Sequence, residues 1–438
     1  MVAIKLLALL VAMDVAAADV TQCLGVNIHT LSPAVGELQM IADAGIHWVR
    51  MDLAWPTVEP STAGVYDFRE VDAFVAALGG AGDGLRWVAI VSPSNPLYDG
   101  GANVVSEAGQ AAFGKVVAAL AARYADVAAR GALLLELVNE PNSWPAYKNA
   151  TNYARLVHHA ASAVQAAGAP RILAGPASAN IDFDWLRELL ELGVLRDIDH
   201  LTVHPYRSDG PETALTDLAS LQGLVAEYAP PASAPMPVSS GEWGYASHPT
   251  GGSQIPDVVA HGKVVSRLYL TTIAARVPIS IYYDWRDGAP ELMGLVYQDA
   301  APAASAWPRV PKPAYNATRA LASALAGLEF VDRLPVFQNG RDASDDWLLR
   351  FQAPAGDSSA SGTSSASDTA PVDTVLVAWT SGSFGHVIRI PGGSGCFSAM
   401  DWVGNALPEV CAGDRGLHVN VTDAPVFLSQ RGSAVTSR

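Results

Sequence analysis

One stretch of the chain decides the fold: Leu133-Leu134-Leu135-Glu136-Leu137-Val138-Asn139-Glu140-Pro141-Asn142. Its apolar first part predicts a buried strand, and Pro141 ends that strand because proline has no backbone N–H to donate to a ladder. The strand therefore ends in an Asn-Glu pair, Asn139 and Glu140, that faces a loop. A carboxylate held beside an amide on a rigid strand end is suited to acid and base chemistry.

A second carboxylate stands in a matching context, in Val238-Ser239-Ser240-Gly241-Glu242-Trp243-Gly244-Tyr245. Here too an apolar start predicts a strand, and Glu242 lies at its end. Two strand-end glutamates in one chain are typical of enzymes that cut glycosidic bonds, which use a pair of carboxyl groups on opposite sides of the scissile bond.

Eight strands alternate with amphipathic helices between Cys23 and Gly327. The predicted strands are Leu24–Ile28, Trp48–Leu53, Arg86–Val91, Leu133–Val138, Arg171–Ala174, His200–His204, Pro237–Gly241 and Ile279–Trp285. This alternation predicts an α/β fold, a (β/α)8 TIM barrel over residues 19–327. A doubly wound open sheet is the rival fold, but the first strand lacks the glycine-rich phosphate turn of that fold.

The texture of the chain changes after Leu328, where short β-like runs alternate with turns. Residues 328–438 are therefore predicted to form a small C-terminal all-β module, resembling a β-sandwich. Within it, residues 355–369 are rich in Ser, Gly, Ala and Asp, which predicts a surface loop. We expect this module to buttress the barrel, with glycan binding as the alternative.

Charge and composition exclude some classes of partner. The chain has 438 residues, of which 50% are hydrophobic, and its formal net charge is -16. An acidic surface repels phosphate backbones and anionic lipids, so we expect no nucleic-acid or membrane-surface partner. No run beyond the N-terminus approaches the length of a transmembrane segment, and we expect a monomer.

Residues 1–18 resemble a secretory signal peptide, with Lys5, an apolar core and the small residues Ala16-Ala17-Ala18. Secretion is therefore predicted, and a buried N-terminal helix is the alternative. Cys396 and Cys411 are close enough in sequence to close a small loop by a disulfide, which export would permit. Three tripeptides beginning at Asn149, Asn316 and Asn420 fit the glycosylation sequon.

The ordered series of motifs resembles the clan A retaining glycoside hydrolases, which are (β/α)8 barrels. The motifs are Asn139-Glu140-Pro141-Asn142, His204-Pro205-Tyr206, Gly241-Glu242-Trp243-Gly244 and Tyr283-Asp284-Trp285. Within the clan the chain is most similar to family-39-like and family-5-like members. The resemblance covers essentially the whole chain after the signal segment.

This resemblance implies a role for each of seven residues. Glu140, after strand four, would be the acid/base and Glu242, on strand seven, the nucleophile. Of the supporting residues, Arg50 would keep Glu242 charged, Tyr206 would hydrogen-bond it, and His204 would orient the network. Asn139 would grip the sugar 2-hydroxyl, and Trp285 would offer a flat face to a pyranose ring.

Structural roles remain open for several of these side chains. Arg50 could instead be an ion-pair partner of Asp52 or Glu136, and His204 a core histidine. Three further tryptophans in rim loops could stack on a sugar or merely pack: Trp55, Trp144 and Trp243.

The predicted function is a secreted retaining glycoside hydrolase that acts on β-linked poly- or oligosaccharides. The alternatives are a non-catalytic carbohydrate-binding barrel and a transglycosylase that uses the same site. No His/Cys spacing indicates a metal, and no cofactor is expected. The expected partner is a carbohydrate substrate.

Overall fold

The computed structural model describes most of the chain between Asp19 and Arg431. The described residues are 19–229, 235–247, 255, 257–288, 292–298, 310–338, 341–342, 344–354, 372–390, 395–414 and 416–431. The predicted signal peptide, residues 1–18, and the predicted loop, residues 355–369, lie outside them.

Eight parallel strands close into a barrel in chain order, and strand one pairs with strand eight through Gly25 and Ile281. The strands are β1 Leu24–Asn27, β2 Trp48–Leu53, β3 Arg86–Val91, β4 Leu133–Leu137, β5 Leu173–Ala179, β6 His200–His204, β7 Val238–Trp243 and β8 Ser280–Tyr282. The predicted (β/α)8 fold is thus confirmed. Active sites of this fold lie where the strands end, at the C-terminal rim.

Helices surround the barrel, and all of them except Ala125–Ala129 contain buried residues. They are α1 Glu37–Asp43, α2 Trp55–Val58, α3 Arg69–Gly79, α4 Glu107–Arg123, α5 Ala125–Ala129, α6 Ala150–Ala166, α7 Phe183–Glu191, α8 Ala214–Tyr228, α9 Val258–Ala274 and α10 Pro313–Leu325. In α3 the buried residues Val71, Phe74 and Leu78 recur at helical spacing. Ser106 caps α4 by accepting a hydrogen bond from the backbone N–H of Gly109.

Two barrel strands, β5 and β8, differ from the sequence prediction by three residues or more at one end. Strand β5 extends to Ala179, well past the predicted end at Ala174, although it contains Pro176 and its register shifts between Pro176 and Ser178. A proline within a run normally argues against a strand, and here a bulge accommodates it. Strand β8 ends at Tyr282, before the predicted end at Trp285, and the residues that follow it belong to the rim.

The C-terminal module is all-β, as predicted. Its strands are β9 Glu329–Arg333, β10 Phe337–Gln338, β11 Arg341–Asp342, β12 Asp346–Gln352, β13 Val372–Thr380, β14 His386–Ile390, β15 Cys396–Met400, β16 Ala406–Cys411, β17 Leu417–Val421 and β18 Val426–Arg431. Six of them form a sheet in the order β16-β15-β18-β13-β12-β9, and β14 pairs with β17. A disulfide joins Cys396 to Cys411, which face each other across β15 and β16.

One face of the central strands of this sheet packs against the barrel. The other face packs against the rest of the module. In β12, Trp347 and Leu349 belong to the hydrophobic core of the barrel, whereas Leu348 belongs to a separate core inside the module. Successive side chains of a strand point to opposite faces, so one strand serves both cores. The indole N–H of Trp379 in β13 also donates to Glu212 of the barrel, at 2.7 Å. The module is therefore attached to the barrel by shared core and by buried polar contacts.

Candidate active site

The backbone turns sharply at the end of β4 and places Glu140 on the rim. Val138 and Glu140 both have positive φ angles, 70° and 48°, which is rare for any residue and strained for a β-branched one. The backbone N–H of Glu140 donates to the carbonyl of Ala177 on the neighbouring strand, at 3.0 Å. Such strain persists only where the surrounding structure holds it, and it is concentrated at functional sites.

Glu242 lies within β7, and a glycine before it makes room for the site. A side chain at Gly241 would lie 3.2 Å from Oε2 of Glu136 and 3.4 Å from the ring of His204. The absence of a Cβ at this position lets both groups pack beneath Glu242. The side chain of Glu242 is 13% exposed, so it reaches solvent at the barrel mouth.

The two glutamates meet across the barrel rim. One carboxylate oxygen of Glu140, one of Glu242 and one ring nitrogen of His204 all lie within 4.8 Å of one another. The nearest oxygens of the two carboxyl groups are thus closer than the separation of roughly 6.5–9.5 Å that inverting glycosidases need between their carboxyl groups for a water. The sequence-predicted pair is therefore brought together.

Arg50 is the hub of the site. Its guanidinium donates to Oε1 of Glu136 at 2.6 and 2.8 Å, to Oε2 of Glu242 at 2.7 Å and to Oδ1 of Asn139 at 2.6 Å. Burial disfavours its charge, but Glu136 and Glu242 together raise the pKa of Arg50 above its ordinary value. The sequence left open an ion pair of Arg50 with Glu136 or a contact with Glu242, and the structure contains both.

Tyr206 also contacts Glu242, because its hydroxyl donates to Oε1 at 2.9 Å. Burial and the neighbouring carboxylate hold the pKa of Tyr206 well above its usual range, so the hydroxyl keeps its proton. Glu242 thus receives a hydrogen bond on each of its two oxygens, one from Arg50 and one from Tyr206.

His204 is fully buried beneath the carboxyl groups. Burial lowers its pKa to about 3, so the imidazole is neutral at ordinary pH. An Arg50 N–H faces Nε2 at 3.2 Å, which assigns the ring proton to Nδ1. Nδ1 lies 2.9 Å from Oε1 of Glu140 and donates to it.

Glu140 has surroundings unlike those of Glu242. Its side chain is 28% exposed, and burial raises the pKa of its carboxyl above the ordinary value although Arg50 acts in the opposite direction. A carboxyl with a raised pKa beside one that is held by a cation and a hydroxyl is the arrangement that separates an acid from a nucleophile.

The structure corrects the role predicted for Trp285. This tryptophan is 1% exposed, and its indole N–H donates to Glu37 at 2.9 Å, so it packs behind the rim and offers no open face to a sugar. Strand β8 ends before it, and the partly exposed Tyr283 comes first on the rim. The polar sequence neighbours of Trp285 predicted exposure, but they pair with residues from elsewhere in the chain: Asp284 with His29, Arg286 with Glu37 and Asp287 with Lys312.

Sequence reasoning missed two groups on the same rim. Asn27 ends β1, and its Oδ1 accepts from Arg50 at 3.1 Å. His29 and Asp284 form a pair at 2.9 Å, and this hydrogen bond is the main cause that raises the pKa of His29. The only signal for Asn27 in the sequence is that a polar residue ends an apolar strand. No sequence pattern predicted that His29 and Asp284 would lie close together.

The cluster of Glu140, His204 and Glu242 is compact enough to be considered as a metal site. Its donors are already engaged, because Nε2 of His204 faces Arg50 and Nδ1 bonds to Glu140. A cation would also lie next to the positive guanidinium that contacts Glu242 at 2.7 Å. The arrangement therefore favours proton chemistry over metal binding.

Solved structures of carbohydrate-active enzymes share this fold over most of the chain. A family 39 glycoside hydrolase from the gut symbiont Bacteroides cellulosilyticus WH2 is 20% identical, with a TM-score of 0.73 over 95% of this chain and 82% of that one. A family 39 β-xylosidase from Caulobacter crescentus is 15% identical, with a TM-score of 0.60 over 95% and 97%. The catalytic domain of family 30 xylanase C from Talaromyces cellulolyticus is 13% identical, with a TM-score of 0.62 over 93% and 96%.

These likenesses confirm, at the level of the fold, the resemblance to family 39 that the motifs predicted. No protein-family model and no curated protein sequence matches the chain. In the described part of the chain, no helix is long and apolar enough to span a membrane.

Proposed function

We propose that this protein is a retaining glycoside hydrolase that cleaves β-glycosidic bonds by double displacement. The observation that carries the proposal is the pair of glutamates, whose carboxylate oxygens approach within 4.8 Å from the ends of two different strands. Their unlike surroundings support unlike roles, with Glu140 as the acid/base and Glu242 as the nucleophile.

In the first step, a carboxylate oxygen of Glu242 attacks the anomeric carbon and forms an ester with the sugar. The bond to the leaving group breaks, and Glu140 gives its proton to the departing oxygen. Burial supports this role of Glu140 because it raises the pKa of the carboxyl and keeps it protonated to higher pH. Asn139, whose Oδ1 is held by Arg50, offers its amide N–H to the 2-hydroxyl of the sugar.

In the second step, Glu140 takes a proton from a water molecule, which attacks the same anomeric carbon. The ester bond breaks, and Glu242 leaves as the carboxylate that Arg50 and Tyr206 hydrogen-bond. Two inversions at one carbon return the original β-configuration. His204 holds Glu140 through its Nδ1–H and does not exchange protons itself, since its low pKa keeps it neutral.

The similar solved structures suggest where to look for the substrate. One is a β-xylosidase and another a xylanase, so β-linked xylosides are the first compounds to test in a panel with glucosides and mannosides. In this proposal, residues 19–327 form the catalytic barrel and residues 328–438 buttress it. Residues 1–18 direct secretion and are then removed, and the mass of the mature protein tests this. The protein acts as a monomer.

Two alanine variants test the assignment on aryl β-glycosides. We expect Glu242→Ala to abolish turnover and Glu140→Ala to accumulate the glycosyl-enzyme, because the second step then lacks its base. Azide needs no base, so it should restore turnover of Glu140→Ala and give a β-glycosyl azide. Glu70→Ala, at an exposed position of α3, is the matched control and should behave as wild type. Unimpaired turnover of either catalytic-site variant would contradict the proposal.

A further inference from the structure

Trp144 differs in exposure from Trp55 and Trp243, the other two tryptophans that the sequence placed in rim loops. Trp55 and Trp243 are fully buried, whereas Trp144 is 48% exposed, more than any other tryptophan in the described residues. Single exposed apolar residues are common on protein surfaces and have no meaning by themselves. The position and the attachment of Trp144 are what give its exposure significance.

Hydrogen bonds fix the indole ring next to Glu140. Its Nε1–H donates to the backbone carbonyl of Asn139 at 2.9 Å. The carbonyl of Trp144 in turn accepts from the backbone N–H of Tyr147 at 3.0 Å and of Lys148 at 2.8 Å. An exposed side chain that is held in one orientation has lost its conformational entropy before any ligand binds, which favours its use as a binding surface.

The turn that carries Trp144 is itself attached to the barrel. The side chain of Asn142 donates to the carbonyl of Ala179 at 3.1 Å and accepts from its N–H at 2.9 Å. Trp144 therefore does not sit on a free loop. The turn is bonded to β5, the strand whose Ala177 also accepts from the backbone N–H of Glu140.

Because Trp144 lies beside Glu140, its ring can contact only the part of the substrate that binds near the general acid. A general acid must contact the oxygen that joins the sugar under attack to the leaving group. Arg50 and Tyr206 hold Glu242 under the sugar that is attacked, and Asn139 is proposed to bind that same sugar. The exposed ring of Trp144, whose N–H binds the backbone carbonyl just before Glu140, is then available to the leaving group. A flat aromatic face suits the C–H face of a pyranose ring, because both are apolar and of similar width.

We infer that Trp144 is the platform of a binding site for the leaving-group sugar, a pyranose. This inference rests on the proposed function. It adds a residue that favours substrates whose leaving group is a sugar over substrates with any other leaving group. The same site would receive a sugar acceptor in the second step, so it would also govern how well a sugar competes with water for the glycosyl-enzyme.

The test compares two substrates that both need the proton of Glu140. One is the shortest xylo-, cello- or manno-oligosaccharide that the protein cleaves, for example xylotriose. The other is the methyl β-glycoside of the same donor portion, for example methyl β-xylobioside, assayed by the release of methanol, because only that cleavage has a leaving group without a ring. We expect Trp144→Ala to lower kcat/KM for the oligosaccharide by about tenfold to a hundredfold, the loss of one aromatic stacking contact and its buried area. Its kcat/KM for the methyl glycoside should stay at the wild-type value.

Two further variants separate stacking from a structural effect. Trp144→Phe keeps a flat face but has no N–H for Asn139, so we expect it to retain most of the oligosaccharide activity. Phe384→Ala removes an exposed aromatic ring of the C-terminal module and should change neither substrate. Equal losses of Trp144→Ala on both substrates, or no loss on either, would overturn the inference. A wild-type protein that cleaves neither substrate would contradict the proposed function as well.

Discussion

At the scale of the residue, one guanidinium organises the site. Arg50 is 1% exposed and contacts a structural carboxylate, Glu136, and the proposed nucleophile, Glu242, at the same time. Removal of one partner of a buried ion pair leaves an uncompensated charge, which is far more costly than replacement of both partners by apolar groups. This asymmetry makes the two roles of Arg50 separable by experiment.

We predict that Arg50→Met destabilises the fold by about 3–5 kcal/mol and abolishes activity, because Glu136 is left buried without its cation. Arg50→Met combined with Glu136→Leu should recover much of the free energy of unfolding in urea. Activity should stay lost in the double variant, since Glu242 and Asn139 still lack their donor. A stable single variant, or an active double variant, would contradict the proposed organisation of the site.

The pKa of Glu140 predicts the alkaline side of the pH profile. The first step needs the protonated carboxyl, so kcat/KM should fall as pH rises through the pKa of Glu140. Burial raises that pKa, and the fall should therefore come at a higher pH than for an ordinary glutamate. Glu140→Ala, measured on a dinitrophenyl glycoside that needs no acid, should lack this alkaline fall. Its persistence in the variant would assign the titration to another group.

At the scale of the element, the loop after β7 depends on close approach of two backbone segments. A Cβ at Gly244 would lie 1.9 Å from the carbonyl oxygen of Tyr283, just after β8. Backbone cannot move aside as a flexible side chain can, so the two strand ends can meet only if residue 244 has no side chain. This contact fixes the rim between Glu242 and Tyr283.

We therefore expect Gly244→Ala to lower the melting temperature sharply or to prevent folding. The matched control is Gly223→Ala in α8, where a Cβ would have nothing within 4 Å. Alanine in a helix interior is favoured over glycine by roughly 0.5–1 kcal/mol, so this variant should be slightly more stable than wild type. Thermal unfolding followed by circular dichroism compares the two. A Gly244→Ala variant as stable as the Gly223→Ala variant would contradict the packing described here.

The alternation of strands and helices and the motif series were enough to predict the barrel and to choose Glu140, Glu242, Arg50, Asn139, His204 and Tyr206 as site residues. Local sequence patterns show which face of a helix or strand is buried. They therefore predict a residue's position correctly where burial alone determines that position. They misjudged Trp285, because its polar sequence neighbours pair with distant residues that no local pattern reveals, as Arg286 does with Glu37. They also missed Asn27, because its contact with Arg50 joins different strands and depends on the closure of the barrel.

At the scale of the whole molecule, the module and the barrel share a core and a buried polar cluster. Glu212, next to α8, accepts from Arg267 of α9 at 2.6 and 2.8 Å and from Trp379 of the module at 2.7 Å. Lys263 and Asp423 add an ion pair at the same junction. Two units joined in this way are expected to unfold together.

Trp379→Phe tests this coupling because it keeps the aromatic ring but removes the donor to buried Glu212. We predict a loss of about 1.5–3 kcal/mol within a single calorimetric transition, because one hydrogen bond to a buried carboxylate is lost while the two from Arg267 remain. Phe384→Ala, at an exposed site of the same module, should leave the transition unchanged. Two separate transitions in the wild-type protein would show that the module is not a structural part of the barrel.

The central claim is that Glu242 forms a covalent bond to the sugar while Glu140 handles the proton. It is tested most directly with a dinitrophenyl 2-deoxy-2-fluoro-β-glycoside, whose fluorine slows both steps and whose leaving group sustains the first, so that the glycosyl-enzyme accumulates. Mass spectrometry of the digested protein should find the added sugar on Glu242. A label on Glu140, or rapid turnover to the α-anomer with no labelled peptide, would contradict the mechanism.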